Sequence, residues 1–201
     1  MDRADVHRQV AALHAAHIDQ GFLATLGVPF LTLLYRAIDE GDDSVLLVEE
    51  RGGEVAGFVS GGLGMGPIYK RMLRSPVRLG WALLPSLFRP GRVCRIIDIL
   101  RYGRRDPVRA GMPQAELLSI VVAPGARGGG VADMLYRRLV GHFAQRGVEA
   151  FRITVGDALA PAHRFYARMG ATPAGRVEVH AGHGSTAYVH AILSPDTAGK
   201  R

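Results

Sequence analysis

The stretch Val121–Leu135, "VVAPGARGGGVADML", sets one proline and four glycines between an apolar run and a segment of helical periodicity. Glycine lacks the Cβ atom that keeps an anion away from the backbone, and the first N–H groups of a helix have no intrahelical acceptor. A strand ending at Pro124 and followed by "GARGGGVA" therefore offers bare amides at the positive end of a helix dipole, and it predicts a phosphate or pyrophosphate site. Neither common nucleotide loop fits. Counted from Gly125, a P-loop would need Lys and Ser or Thr after Gly130, where the chain has Val131 and Ala132. Counted from Gly128, a dinucleotide fingerprint would need a third glycine at Asp133.

Outward from this stretch the chain falls into short periodic segments. "AELLSIVVA" before it reads as a strand, apolar enough after Glu116 to be buried on both faces. After it, a helix runs from about 128 to 145 with Val131, Met134, Leu135, Leu139 and Phe143 on one side. Upstream, "VHRQVAALHAAHI" and "FLTLLYRAI" have helical spacing, and "SVLLVEE" and "EVAGFVSGG" flank "RGG" as a hairpin. Downstream come the strand "AFRITVGD", a short helix opened by Pro161 and stopped at Gly170, and the hairpin "GRVEVHAGHGSTAYVHAIL". This order predicts an α/β fold, a mixed and mostly antiparallel central sheet flanked by helices. One domain is expected over 1–195, with a helical or lid insertion at 66–110 between the hairpin and the next strand and a frayed tail at 196–201.

A second block, "AHRFYARMGATPAG" from Ala162 to Gly175, stands at a regular interval after the glycine loop. Together, "RGGGVA" at Arg127–Ala132 and this block resemble the two signature motifs of the GNAT acyltransferase family, [RQ]-x-x-G-x-[GA] and A-x-x-F-Y-x-x-x-G-F-x-x-x-G. The resemblance covers roughly Val45–Gly62 and Glu116–Leu193. It departs from the family at Leu159, where an asparagine is frequent, and at Ala171, where an aromatic is frequent.

The resemblance implies an acyl-CoA N-acyltransferase fold and acetyl-CoA, or another acyl-CoA, as co-substrate without a metal. The amides of Arg127, Gly128, Gly129, Gly130, Val131 and Ala132 would surround the pyrophosphate. The backbone of Ile120, Val121 and Val122, on a strand that splays from its neighbour, would hold the pantetheine and the thioester carbonyl. Tyr166 would protonate the departing thiolate, against the alternative of a core aromatic. Glu116 would serve as base, against that of a solvated strand-end carboxylate. The reaction implied is direct attack of a primary amine in a ternary complex. Its alternatives are an acyl-CoA sensor or scaffold without turnover, and an acyltransferase acting on a lipid-linked or carrier-protein-linked acceptor. His180, His183 and His190 on the last hairpin read as surface or packed histidines. The loop "DQGFLATLG", with Phe22, Leu23 and Leu26, is expected beside the acceptor pocket.

Charge singles out the insertion. The chain carries 25 Lys and Arg against 18 Asp and Glu, a net +7. Residues 66–105 hold ten of the basic residues and one acid, Asp98; that is +9, which leaves −2 for everything else. Three roles fit: a lid whose arginines are solvated or meet CoA phosphates, a contact with an anionic membrane, or a contact with an acidic carrier protein. No reading helix or aromatic platform points to nucleic acid. A homodimer is compatible with the composition. The charged first residues, the lack of a long apolar run and the lone Cys94 lead to the expectation of a cytoplasmic protein without disulfides. Only "MDRA" precedes the first helical segment, so the short leading strand usual in the family is expected to be vestigial or to lie upstream.

Overall fold

The computed structural model describes residues 1–18, 25–87, 111–180 and 183–192, apart from the side chains of 84–87, 178–180 and 183. Helices α1 (Arg3–His17) and α2 (Gly27–Asp39) come first, then strands β1 (Ser44–Arg51) and β2 (Glu54–Gly62). Helices α3 (Met65–Leu73) and α4 (Pro76–Leu87) stand between β2 and β3 (Glu116–Val122). A 3₁₀ turn at Pro124–Ala126 leads to α5 (Val131–Gln145), β4 (Ala150–Gly156), α6 (Ala160–Arg168), β5 (Thr172–His180) and β6 (His183–Ala191). The six strands form one sheet in the order β1-β2-β3-β4-β6-β5. Only β3 and β4 run parallel, because α5 carries the chain back between them.

Each face of the sheet carries its own core. On one face α1, α2, α3 and α4 pack Val10, Phe30, Leu31, Tyr35, Ile68 and Leu79 against Phe58 and Val121. On the other, α5 and α6 pack Leu135, Tyr136, Leu139 and Tyr166 against Val59, Phe151 and Ile153. Neighbours Phe58 and Val59 thus serve opposite cores, as strand alternation requires. Burying a side chain of this size is worth roughly 2–3 kcal/mol.

Glycines in β2 set how closely α5 lies on the sheet. A Cβ at Gly57 would stand 2.9 Å from the Val121 carbonyl oxygen and 3.1 Å from Val131, and one at Gly61 would stand 2.9 Å from both Leu139 and Phe143. The start of α5 is thereby held against the end of β3.

Two expectations change. β3 is less buried than its composition suggests: Leu117 and Val121 are buried, but Leu118, Ile120 and Val122 are only half covered, because β4 leaves β3 beyond Leu117. On α5, Tyr136 is buried and Met134 only partly so. The tail at 196–201 lies outside the described residues, as do Phe22, Leu23, Cys94 and everything from 88 to 110.

Candidate functional site

Strand pairing opens where the sequence places its strand end. β3 pairs with β4 only at Glu116↔Arg152 and Leu117↔Ile153, yet it stays paired with β2 as far as Gly57↔Val122. A bulge opposite Ser60 and Gly61 takes Leu118 out of the β2 register. Bulges bend a strand and increase its twist, which accounts for the divergence from β4. The Ala123 amide bonds the Ala56 carbonyl on the β2 side. Alternation then turns the backbone groups of Ile120 and Val122 into the gap, while those of Val121 face β2. The Val122 carbonyl accepts a 3.1 Å bond from Arg127 Nε.

The glycine loop follows at once. Gly128 and Gly130 have φ of +77° and +74°, conformations that L side chains rarely adopt. A Cβ at either would meet nothing within 4 Å, so backbone conformation rather than crowding requires glycine there. Gly130 is the N-cap of α5 and supplies no side-chain cap. The first amides of the helix are left to solvent or to an anion. Arg51 at the end of β1 comes within 3.7 Å of a Cβ built on Gly129. Gly130, Asp133, Met134, Arg137 and Arg138 line an open hollow of about 570 Å³.

Tyr166 projects from α6 into the core cluster that also includes Ile120, Val122 and Ala126. It is 6% exposed, among the rings of Tyr136, Phe165 and Tyr188. Burial pushes its phenol well above the ordinary tyrosine range, so the hydroxyl keeps its proton. Glu116 lies on the opposite face of the sheet from Leu117. Its Oε2 accepts a 2.8 Å bond from Arg152 Nη2, and the buried guanidinium also reaches the Pro113 carbonyl. Glu116 is thus engaged by a cation and not merely solvated.

Sequence reasoning missed three polar arrangements. Arg168 in the last turn of α6 grips Asp133 in the first turn of α5, and it also lies 5.5 Å from the centre of the Phe165 ring. His14 Nδ1 and the Tyr35 hydroxyl lie 2.5 Å apart between α1 and α2, and the Ser119 side chain on β3 also bonds that hydroxyl. Burial lowers the His14 pKa to about 4, so its ring is neutral and Nδ1 accepts from the phenol. His163 sits between the Tyr188 hydroxyl at 2.9 Å and the Gly156 carbonyl at 3.2 Å. Since a carbonyl only accepts, Nε2 carries a proton. None of these pairings has a sequence signal, because in all three the partners stand 21 or more residues apart and are brought together by the fold alone.

Of the last hairpin's histidines, His190 packs against Phe151 and Tyr136, and burial lowers its pKa, as for a packed core histidine. The side chains of His180 and His183 lie outside the described set. Leu159 precedes α6 and is 39% exposed, while Ala171 is buried where the family often has an aromatic. Leu26 belongs to the core under α2. No group of three or more metal-ligating side chains occurs among the described residues.

Fold and site together define a mixed α/β protein whose sheet opens beside an uncapped, glycine-led helix. The chain belongs to the acetyltransferase (GNAT) family, whose model matches residues 15–171. Its fold is similar to that of an N-acetyltransferase from Staphylococcus aureus Mu50, at TM-score 0.61 and 14% identity, covering 96% of both chains. It is also similar to an aminoglycoside 6'-N-acetyltransferase complexed with coenzyme A, at TM-score 0.59 and 12% identity over 96% of this chain and 95% of that one. Arabidopsis thaliana NAA60 in complex with acetyl-CoA gives TM-score 0.57 and 16% identity over 94% of each chain. No curated protein matches the sequence.

Proposed function

We propose that this acetyltransferase moves an acetyl or other short acyl group from acyl-CoA to a primary amine by direct attack within a ternary complex. The observation that carries the reading is the end of β3–β4 pairing at Leu117 and Ile153, beside the uncapped start of α5. A gap lined by unpaired strand backbone suits the amides of a pantetheine arm, and the loop amides of Arg127–Ala132 suit its pyrophosphate. Both lie at the C-terminal end of β3, one of the two central strands, at the spacing the chain itself fixes between Val122 and Val131.

In this reading the backbone of Ile120 and Val122, the groups that face the gap, orients the thioester and supports negative charge on its carbonyl oxygen. The amine nitrogen bonds to the carbonyl carbon, the carbon–sulfur bond breaks, and the thiolate takes the Tyr166 proton, which bulk water later restores. The amine loses its own proton to Glu116, directly or through water. Holding both reactants in one site supplies a large part of the acceleration. The acceptor most consistent with the site is a small-molecule amine.

Calorimetry with CoA, thiol release from acetyl-CoA across an amine panel, and single-turnover rates of Tyr166→Phe and Glu116→Gln test these roles. If both variants stay within about threefold of wild type, under about 0.7 kcal/mol, neither residue has the role assigned. CoA binding with no turnover on any amine would instead support a sensor.

A further inference from the structure

The start of the basic insertion has two apolar sides, of which one is packed among the described residues. Ile68, Tyr69, Met72, Leu79 and Ala82 are buried, four of them in the core under α2. That docking leaves other large apolar side chains outside. Val77 and Trp81 are each 72% exposed and stand four residues apart, on one face of α4, and Leu73 at the end of α3 is 48% exposed. A helix apolar on both sides buries one side in the protein and leaves the other for something else. Exposed apolar groups gathered in this way mark a contact surface.

Charge says what covers it. Lys70, Arg74 and Arg78 are exposed in the same short stretch, and none is paired with an acid among the described residues. Arg71, by contrast, is spent on Asp43 and the Ala37 carbonyl. No Asp or Glu occurs between Glu54 and Asp98. Long cationic side chains beside Leu, Val and Trp match an anionic bilayer surface: the headgroups attract the cations, and the interface takes the indole. An acidic protein would meet the charges, but it gives no comparable account of an exposed Trp and Val side by side.

We infer that the face of α3 and α4 bearing Lys70, Leu73, Arg74, Val77, Arg78 and Trp81 docks the enzyme on anionic membrane surfaces. No helix of the described residues is long and apolar enough to cross a membrane, so the contact is peripheral. Docking is independent of the acyl-transfer reading, and its test needs no substrate.

Trp81 is the only tryptophan in the chain, so its fluorescence reports this face alone. The full chain would be titrated with vesicles of phosphatidylcholine containing about a quarter phosphatidylglycerol, and with pure phosphatidylcholine vesicles. The expected result is a shift of Trp81 emission to shorter wavelength and co-flotation with anionic vesicles only, reversed at about 1 M salt. Lys70→Gln/Arg74→Gln/Arg78→Gln should weaken partitioning about a hundredfold, since each basic residue near the surface is worth roughly fivefold. Val77→Ser should blunt the shift with the cations intact. All four positions are exposed, and circular dichroism checks that each variant folds. Unchanged Trp81 emission with anionic vesicles at low salt overturns the inference, as does equal binding to neutral vesicles. A shift produced by an acidic carrier protein but by no vesicle overturns it in favour of a protein partner.

Discussion

Arg168 closes on Asp133 with two bonds, Nη1 to Oδ2 at 2.5 Å and Nη2 to Oδ1 at 2.8 Å, and so ties the last turn of α6 to the first turn of α5. One helix carries Tyr166 two residues earlier, and the other begins at the glycine loop. The guanidinium also holds the Asp133 carboxyl below the usual range, keeping it ionised. An acid is thus placed in the first turn of a helix proposed to bind pyrophosphate, and its charge is offset by an arginine from next door.

Arg168→Met should therefore weaken CoA binding, by about fivefold at most, because solvent screens an exposed pair. Asp133→Asn/Arg168→Met removes the uncompensated acid and should recover most of the loss. Calorimetry with CoA compares them. A double variant no better than the single one would show that charge at Asp133 is not the reason.

Backbone strain gives a second prediction. Gly128→Ala and Gly130→Ala each force a side chain into φ near +75° with no steric clash, so each should cost about 1 kcal/mol and about fivefold in CoA affinity. Asn should be milder than Ala at both positions, since it tolerates that region better. Gly125→Ala, with no positive φ and open space around it, serves as the control. If Gly125→Ala proved as damaging as the others, conformation would not explain the loop.

Close packing gives a third. At Gly57 an added Cβ meets the Val121 carbonyl oxygen, a backbone atom that cannot swing aside, at 2.9 Å. Overpacking of this kind costs roughly 2 kcal/mol, so Gly57→Ala should lower Tm by about 6 °C in a chain this long. It should also raise KM for acyl-CoA, because relief requires the start of α5, at Val131 and Leu135, to move off β2. Calorimetric melting and steady-state kinetics measure the two effects. Lost stability with an unchanged KM would separate packing from the site.

The uncapped, glycine-led turn was legible in the sequence because it is made by local backbone. Proline, glycines and the start of a helix lie within "PGARGGGVADML", and the same residues form the uncapped turn observed. Alternation and punctuation likewise gave the hairpin of β1 and β2, the strand β3 and the sheet class. What stayed hidden depends on register or on partners distant in sequence. Leu118 carries no mark of a bulge, so β3 read as doubly buried when it is half open. Glu116 looks like a strand-end carboxylate until Arg152, 36 residues later, is brought beside it. His14, Tyr35 and Ser119 come from three elements, and only the packing of two helices on a strand reveals their contact.

That buried contact predicts how stability depends on pH. The His14 pKa is about 4 in the folded chain against 6.5 for an unperturbed histidine, because burial disfavours the imidazolium. Between those values the unfolded chain binds the proton and the folded chain does not, so stability rises with pH across that window. The contribution is fully present above about 6.5 and is lost as pH falls towards 4, an amount on the order of 3 kcal/mol. His142 and His190 are lowered by burial as well and act in the same direction. His14→Gln keeps an acceptor for the Tyr35 hydroxyl but has no titration, so its urea midpoint should fall less steeply between pH 6.5 and 4 than that of wild type, with a residual slope from the other two histidines. Urea denaturation at half-unit steps of pH reads both slopes. Equal slopes for wild type and His14→Gln would mean that protonation of His14 is not what unseats α1 from α2 in acid.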